Sequence, residues 1–128
     1  MQLKSVHHIA VICSDYEKSK HFYTQVLGFT IIREIFRAER NSYKLDLALN
    51  DLFVIELFSF TNPPARPSQP ESCGLRHLAF SVKDIEASIA ALASKGVTCE
   101  PIRIDTLTNK RFTFFADPDG LPLELYEV

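Results

Sequence analysis

Residues 5–12 alternate and are rich in branched side chains, which predicts a strand with its period of two. Ser14-Asp15 then opens a helix to about Leu27, with Asp15 placed as an N-cap and Gly28 as the residue past the C-terminus. Strand-like runs follow near 29–38, 42–49 and 52–60, so this part reads βαβββ. Residues 61–74 hold Pro63, Pro64, Pro67 and Pro70 and predict an extended connector. The order then repeats, with a strand at 75–82, a helix from Asp84 to Lys95 ending at Gly96, and strands near 97–104, 110–116 and 121–127. Asp117-Pro118-Asp119-Gly120 predicts the turn before the last strand. The expected fold class is α+β: a single domain, 1–128, built of a βαβββ module at 1–60, a connector at 61–74 and a second βαβββ module at 75–128.

The repetition extends to individual residues. His8-Ile9-Ala10-Val11 with Asp15, Glu17 and Ser19 recurs as His77-Leu78-Ala79-Phe80 with Asp84, Glu86 and Ser88. Glu56 lies in the apolar run Val54-Ile55-Glu56-Leu57-Phe58, and Glu124 in Pro122-Leu123-Glu124-Leu125-Tyr126. The histidines are 69 residues apart and the glutamates 68, so a duplication with one insertion or deletion accounts for both.

Strand alternation assigns these residues to faces. Ile9 and Val11 share one side of the first strand, opposite His8, Ala10 and Ile12. Leu78, Phe80 and Val82 likewise oppose His77, Ala79 and Ser81. Ile55 with Leu57, and Leu123 with Leu125, flank the glutamates on the opposite face. Packing the apolar sides under the helices leaves His8, Glu56, His77 and Glu124 on the free sheet faces, which can curl into a cup.

Composition narrows the function classes. The net charge of −2 offers no basic footprint for nucleic acid and no polybasic membrane patch. No apolar run approaches the roughly 18 residues of a membrane span. The first residues carry no signal-peptide pattern, and Cys13, Cys73 and Cys99 form neither a pair nor a zinc spacing, so a reduced cytoplasmic location is expected.

A carboxylate buried alone in an apolar strand costs several kcal/mol, and this sequence repeats that anomaly beside a repeated histidine. Two imidazoles and two carboxylates around a pseudo-twofold axis form a donor set suited to Ni, Zn, Fe, Co or Mn, with positions left for water or substrate. A Glu–His ion-pair cluster is the structural alternative. His7 competes with His8, but it is expected on the face of Ile9 and Val11, and its repeat counterpart is Arg76. His21 is expected on the helix surface.

These motifs, together with Phe22-Tyr23 and Leu27-Gly28-Phe29 and the terminal run Asp117 to Leu125, resemble the vicinal oxygen chelate superfamily. They are most similar to its glyoxalase I (lactoylglutathione lyase) branch, over essentially the whole chain. The resemblance implies the glyoxalase/bleomycin-resistance/dioxygenase fold, a metal-binding cup, and one divalent ion, Ni or Zn first, held by His8, Glu56, His77 and Glu124. It also implies a lyase or isomerase acting on an α-oxo or α-hydroxy carbonyl substrate, such as a methylglyoxal-thiol hemithioacetal, through a metal-stabilised enediolate. Glu124 is then the base, with Glu56 on the opposite side, and a homodimer is expected.

The related dioxygenase and fosfomycin-modifying branches use two His and one Glu, and methylmalonyl-CoA epimerase carries Gln at the position of Glu56. An epimerase, a dioxygenase and a non-catalytic small-molecule or drug binder are the alternatives. Glyoxalase I places an Arg and an Asn for glutathione where this chain has Ile12 and Phe60, and an apolar pair cannot supply those hydrogen bonds. Arg37, Arg40, Lys44, Lys110 and Arg111 are the candidate substrate contacts, with solvated surface charge as the alternative.

Overall fold

The computed structural model describes residues 1–128, which form two compact units, Met1–Ala65 and Arg66–Val128. The first unit contains β1 (Ile9–Cys13), α1 (Tyr16–His21), β2 (Thr30–Arg37), β3 (Ser42–Leu49) and β4 (Leu52–Ser59). Its sheet has the order β1-β4-β3-β2, with β1 parallel to β4 and the other pairings antiparallel. The second unit repeats the plan with β5 (Leu78–Val82), α2 (Ile85–Ser94), β6 (Arg103–Asp105), β7 (Lys110–Ala116) and β8 (Pro122–Glu127), in the order β5-β8-β7-β6. The predicted tandem βαβββ arrangement is therefore the observed fold. No helix is long and apolar enough to cross a membrane.

Both helices begin where the side-chain chemistry requires. Asp15 accepts a hydrogen bond from the Lys18 amide (3.1 Å) and Asp84 one from the Ala87 amide (2.9 Å), each satisfying an amide that has no partner within its helix. Gly28 and Gly96 follow the two helical segments with φ of +82° and +80°, a conformation that a Cβ disfavours. The first helix departs from expectation before Gly28. It is α-helical only to His21 and continues as a π-helical turn, Phe22–Val26, in which the Leu27 amide donates to the Phe22 carbonyl (3.0 Å). The widened turn directs two consecutive rings, Phe22 and Tyr23, into the core, edge to face at 5.3 Å.

Parity along the strands divides each sheet as expected. In the first unit Val11, Cys13, Leu45, Leu47, Ile55 and Leu57 are buried on the side that α1 covers. Ala10, Ile12, Lys44, Asp46, Glu56 and Phe58 take the other side. In the second unit Leu123, Leu125 and Phe115 are buried with Ile85 and Leu92 of α2, and Phe114 and Glu124 take the opposite side.

Three boundaries differ from the sequence reading. β1 starts at Ile9 and β5 at Leu78, so His8 and His77 immediately precede their strands. The strand expected at 97–104 shrinks to Arg103–Asp105, because Pro101 lacks the amide a ladder needs. Residues before it are held singly, by Glu100 N–H on the Phe114 carbonyl (2.8 Å) and by Thr113 Oγ1 on the Glu100 carbonyl (2.7 Å). Finally, Arg66 donates to the carbonyls of Leu75 (2.6 Å) and Arg76 (3.2 Å), which fastens the later part of the proline-rich segment within the second unit.

Candidate functional site

Each unit brings one predicted histidine onto one predicted glutamate. In the first, His8 Nε2 lies 3.4 Å from Glu56 Oε2. The pairing follows from topology: the residue preceding β1 sits beside β4, because β1 and β4 are parallel neighbours with Ala10 opposite Glu56. In the second, His77 Nε2 lies 2.8 Å from Glu124 Oε2, and Ala79 stands opposite Glu124 in the matching parallel pair. No three His, Cys, Asp or Glu side chains are grouped as a metal site. The two pairs belong to different units.

The surroundings of the two carboxylates differ. Across the β3–β4 ladder Glu56 faces Asp46, and Lys44 Nζ bridges them, 2.9 Å from Glu56 Oε1 and 2.6 Å from Asp46 Oδ1. Burial disfavours the charge on Lys44, but its hydrogen bonds to Asp46 and Glu56 outweigh that and raise its pKa above the ordinary lysine value. The ammonium also lies 6.0 Å from the ring centroids of Phe53 and Phe58. Across the β7–β8 ladder Glu124 faces Phe114, whose ring is edge-on to His77 at 5.1 Å.

The histidines differ too. His7 does not lie on the core side as alternation would require, because residues before Ile9 are outside the ladder. Both rings contact Phe53, and His7 Nδ1 is 2.8 Å from His8 Nδ1. Either ring can be the donor in that contact, while Nε2 of His8 is turned to Glu56. His77 Nδ1 is buried without a partner.

The five basic candidates separate. Lys44 is on the Glu56 face, as described. Arg37 donates to Ser42 Oγ (2.7 Å) and covers the Phe58 ring at 4.9 Å. Arg40, in a short 3-10 turn, and Lys110, at the start of β7, are exposed. Arg111 falls on the helix-covered parity: it bonds Glu127 through two nitrogens, each at 2.8 Å, and approaches Glu86 of α2 at 3.3 Å. Ile12 and Phe60 are exposed, at 54% and 38%.

Asp46 escaped the sequence reading, although Lys44 and Asp46 alternate with Leu45 and Leu47 in a pattern that places both charges on one face. The second unit adds a cavity of about 500 Å³ beside His77. Its walls carry Arg76, paired with Glu71 (3.2 Å), and Arg103, paired with Glu100 (3.0 Å) and lying 5.1 Å from the Phe114 ring.

Comparison with known proteins places this arrangement in a lineage. Residues 5–125 match the Glyoxalase/Bleomycin resistance protein/Dioxygenase superfamily. An uncharacterized protein of Escherichia coli (strain K12), YaeR, is 66% identical over 125 residues, covering 98% of this chain and 97% of its own. The crystal structure of a glyoxalase family protein from Enterococcus faecalis is 51% identical, with a TM-score of 0.92 over 99% of this chain and all (100%) of that one. More distantly, a probable lactoylglutathione lyase of Vibrio cholerae is 32% identical over 128 residues (94% of this chain, 88% of that protein). A 2-epi-5-epi-valiolone epimerase of Actinomyces sp is 29% identical over 146 residues (97% and 79%). On the family match and the shared fold together, the chain belongs to the Glyoxalase/Bleomycin resistance protein/Dioxygenase superfamily.

Proposed function

We propose that this protein is a metal-dependent lyase or isomerase of the glyoxalase I type, acting on a small α-oxo or α-hydroxy carbonyl compound. The observation that carries the reading is the repeated pair: in each unit an imidazole Nε2 meets a carboxylate Oε2 on the sheet face away from the helix. Two imidazole nitrogens and two carboxylate oxygens fit one divalent ion, Ni or Zn first, with Fe, Co and Mn as the other candidates. His8, Glu56, His77 and Glu124 would hold it, contributed by one chain or by two copies of it in a homodimer. When bound, the ion supplies Lewis-acid polarisation of the substrate carbonyl.

The rest is the work of the chain. Glu124 removes the proton from the carbon next to the carbonyl and returns it to the neighbouring carbon. Its apolar neighbour Phe114 leaves the carboxylate without a competing cation, whereas Glu56 is engaged by Lys44. The cavity beside His77 has room for a small substrate. Ile12 and Phe60, where glyoxalase I places its glutathione contacts, favour a thiol other than glutathione or a substrate without one.

The test is reconstitution with Ni, Zn, Co, Fe or Mn, followed by a methylglyoxal assay with glutathione and with alternative thiols. About one ion per pair of histidines is expected, with turnover that Glu124→Gln lowers by a factor of about 10² to 10⁴ while the fold is kept. Failure to retain any divalent ion would refute the reading and leave two His–Glu ion pairs in its place. The Actinomyces relative supports a second reading, an epimerase that uses the same proton transfer. Solvent deuterium entering an unconsumed substrate at one stereocentre would favour it.

A further inference from the structure

The repeat allows the two modules to be compared position by position. At the spacing of 68 residues that relates Glu56 to Glu124, Lys44 corresponds to Phe112 and Asp46 to Phe114. The ladders agree: Asp46 stands opposite Glu56, Phe114 opposite Glu124, Lys44 opposite Phe58 and Phe112 opposite Tyr126. One module therefore carries a charged pair where the other carries two rings.

The charged pair is built with some care. Lys44 Nζ is held 2.6 Å from Asp46 Oδ1, and Asp46 is itself 5% exposed and 3.9 Å from Arg33. From that anchor the ammonium reaches Glu56 Oε1 at 2.9 Å, leaving Oε2 for the His8 side. The two oxygens of Glu56 are thus assigned to different partners.

We propose that Lys44, anchored by Asp46, is a positioning residue that restrains Glu56 to offering a single oxygen to the metal and holds it out of proton transfer. This rests on the reading of the four residues as a metal site. The second module has no such restraint, so its glutamate is the one free to move. The device is local to β3 and β4, and it acts through Glu56, not on substrate.

Cobalt(II) reports the arrangement without any substrate. The d–d absorption spectrum and the Co(II) dissociation constant, from competition with a chromophoric chelator, are compared for wild type, Lys44→Met, Lys44→Arg and Asp46→Asn. A partner hydrogen-bonded to a ligand typically changes metal affinity about 10- to 100-fold. Lys44→Met is expected to change the dissociation constant by a factor in that range, toward tighter binding because the ammonium no longer opposes the ion and two facing carboxylates remain, and to shift the d–d bands as the second carboxylate oxygen approaches the ion. Lys44→Arg should keep both near wild type, and Asp46→Asn, which loosens the anchor, should shift the d–d bands in the direction of Lys44→Met by less. Circular dichroism checks folding; if Lys44→Met does not fold, Asp46→Asn decides. An unchanged spectrum and affinity in the deciding variant, with wild type binding Co(II), overturns this proposal and leaves the metal site standing. Wild type binding no Co(II), Ni or Zn overturns both.

Discussion

Removing the Lys44 ammonium should destabilise the metal-free protein by an amount that the geometry sets. With Nζ 2.6 Å from Asp46 Oδ1 and 2.9 Å from Glu56 Oε1, those two oxygens lie no more than about 5.5 Å apart. At an effective dielectric near 20, two unit charges at that separation repel by about 3 kcal/mol. In Lys44→Met nothing offsets this except His8 on the far oxygen of Glu56 and the 3.9 Å approach of Arg33 to Asp46. The predicted loss is about 2 kcal/mol at pH 7 and low salt, somewhat below the bare Coulomb figure because Lys44 and Glu56 are not fully buried. Urea unfolding of metal-free protein measures it. The second arm adds Asp46→Asn to Lys44→Met, which removes one of the two facing charges and should recover about half of the loss or more. A loss under about 0.5 kcal/mol, or a double variant no more stable than the single, would refute the electrostatic reasoning.

Other consequences can be measured in the same way. Leu57 is fully buried, and Leu57→Ala should cost about 3 kcal/mol in urea unfolding through lost transfer energy and the cavity left behind. Asp84→Ala removes the α2 N-cap and should cost about 1 kcal/mol, read as a lower unfolding midpoint. The Arg111 guanidinium, with the Ile85 amide, holds the Glu127 carboxyl at about 2, down from the ordinary 4.5. Its contribution to stability is therefore complete above about pH 4.5 and is lost as pH falls toward 2. The drop in urea midpoint between pH 5 and pH 2.5 should be smaller in Glu127→Gln.

Much of this architecture is legible from local rules. Asp15, Gly28, Asp84 and Gly96 mark the two helical segments because capping depends on a few neighbouring atoms. The side of each strand that carries Glu56 or Glu124 follows from a period of two. What local rules miss depends on pairing across strands. Asp46 is unremarkable until β3 is laid beside β4, and Arg111 reads as a rim charge until parity turns it toward Glu127 and α2. His7 departs from its expected face for the opposite reason: it precedes the ladder, where alternation no longer applies. The Pro101 segment failed as a strand because a missing amide outweighs an apolar pattern.

The π-helical turn at Phe22–Val26 also bears on how the chain came to be. Up to it the two copies run 69 residues apart, as Asp15 and Asp84 do, and beyond it they run 68 apart, as Gly28 and Gly96 do. A π turn is what an α-helix forms when it absorbs one additional residue without breaking its hydrogen-bond ladder. The length difference between the ancestral halves thus has a physical address inside the first helix. A one-residue difference there is accommodated as a bulge, so β1 and β4 keep the register of β5 and β8, with Ala10 opposite Glu56 as Ala79 is opposite Glu124.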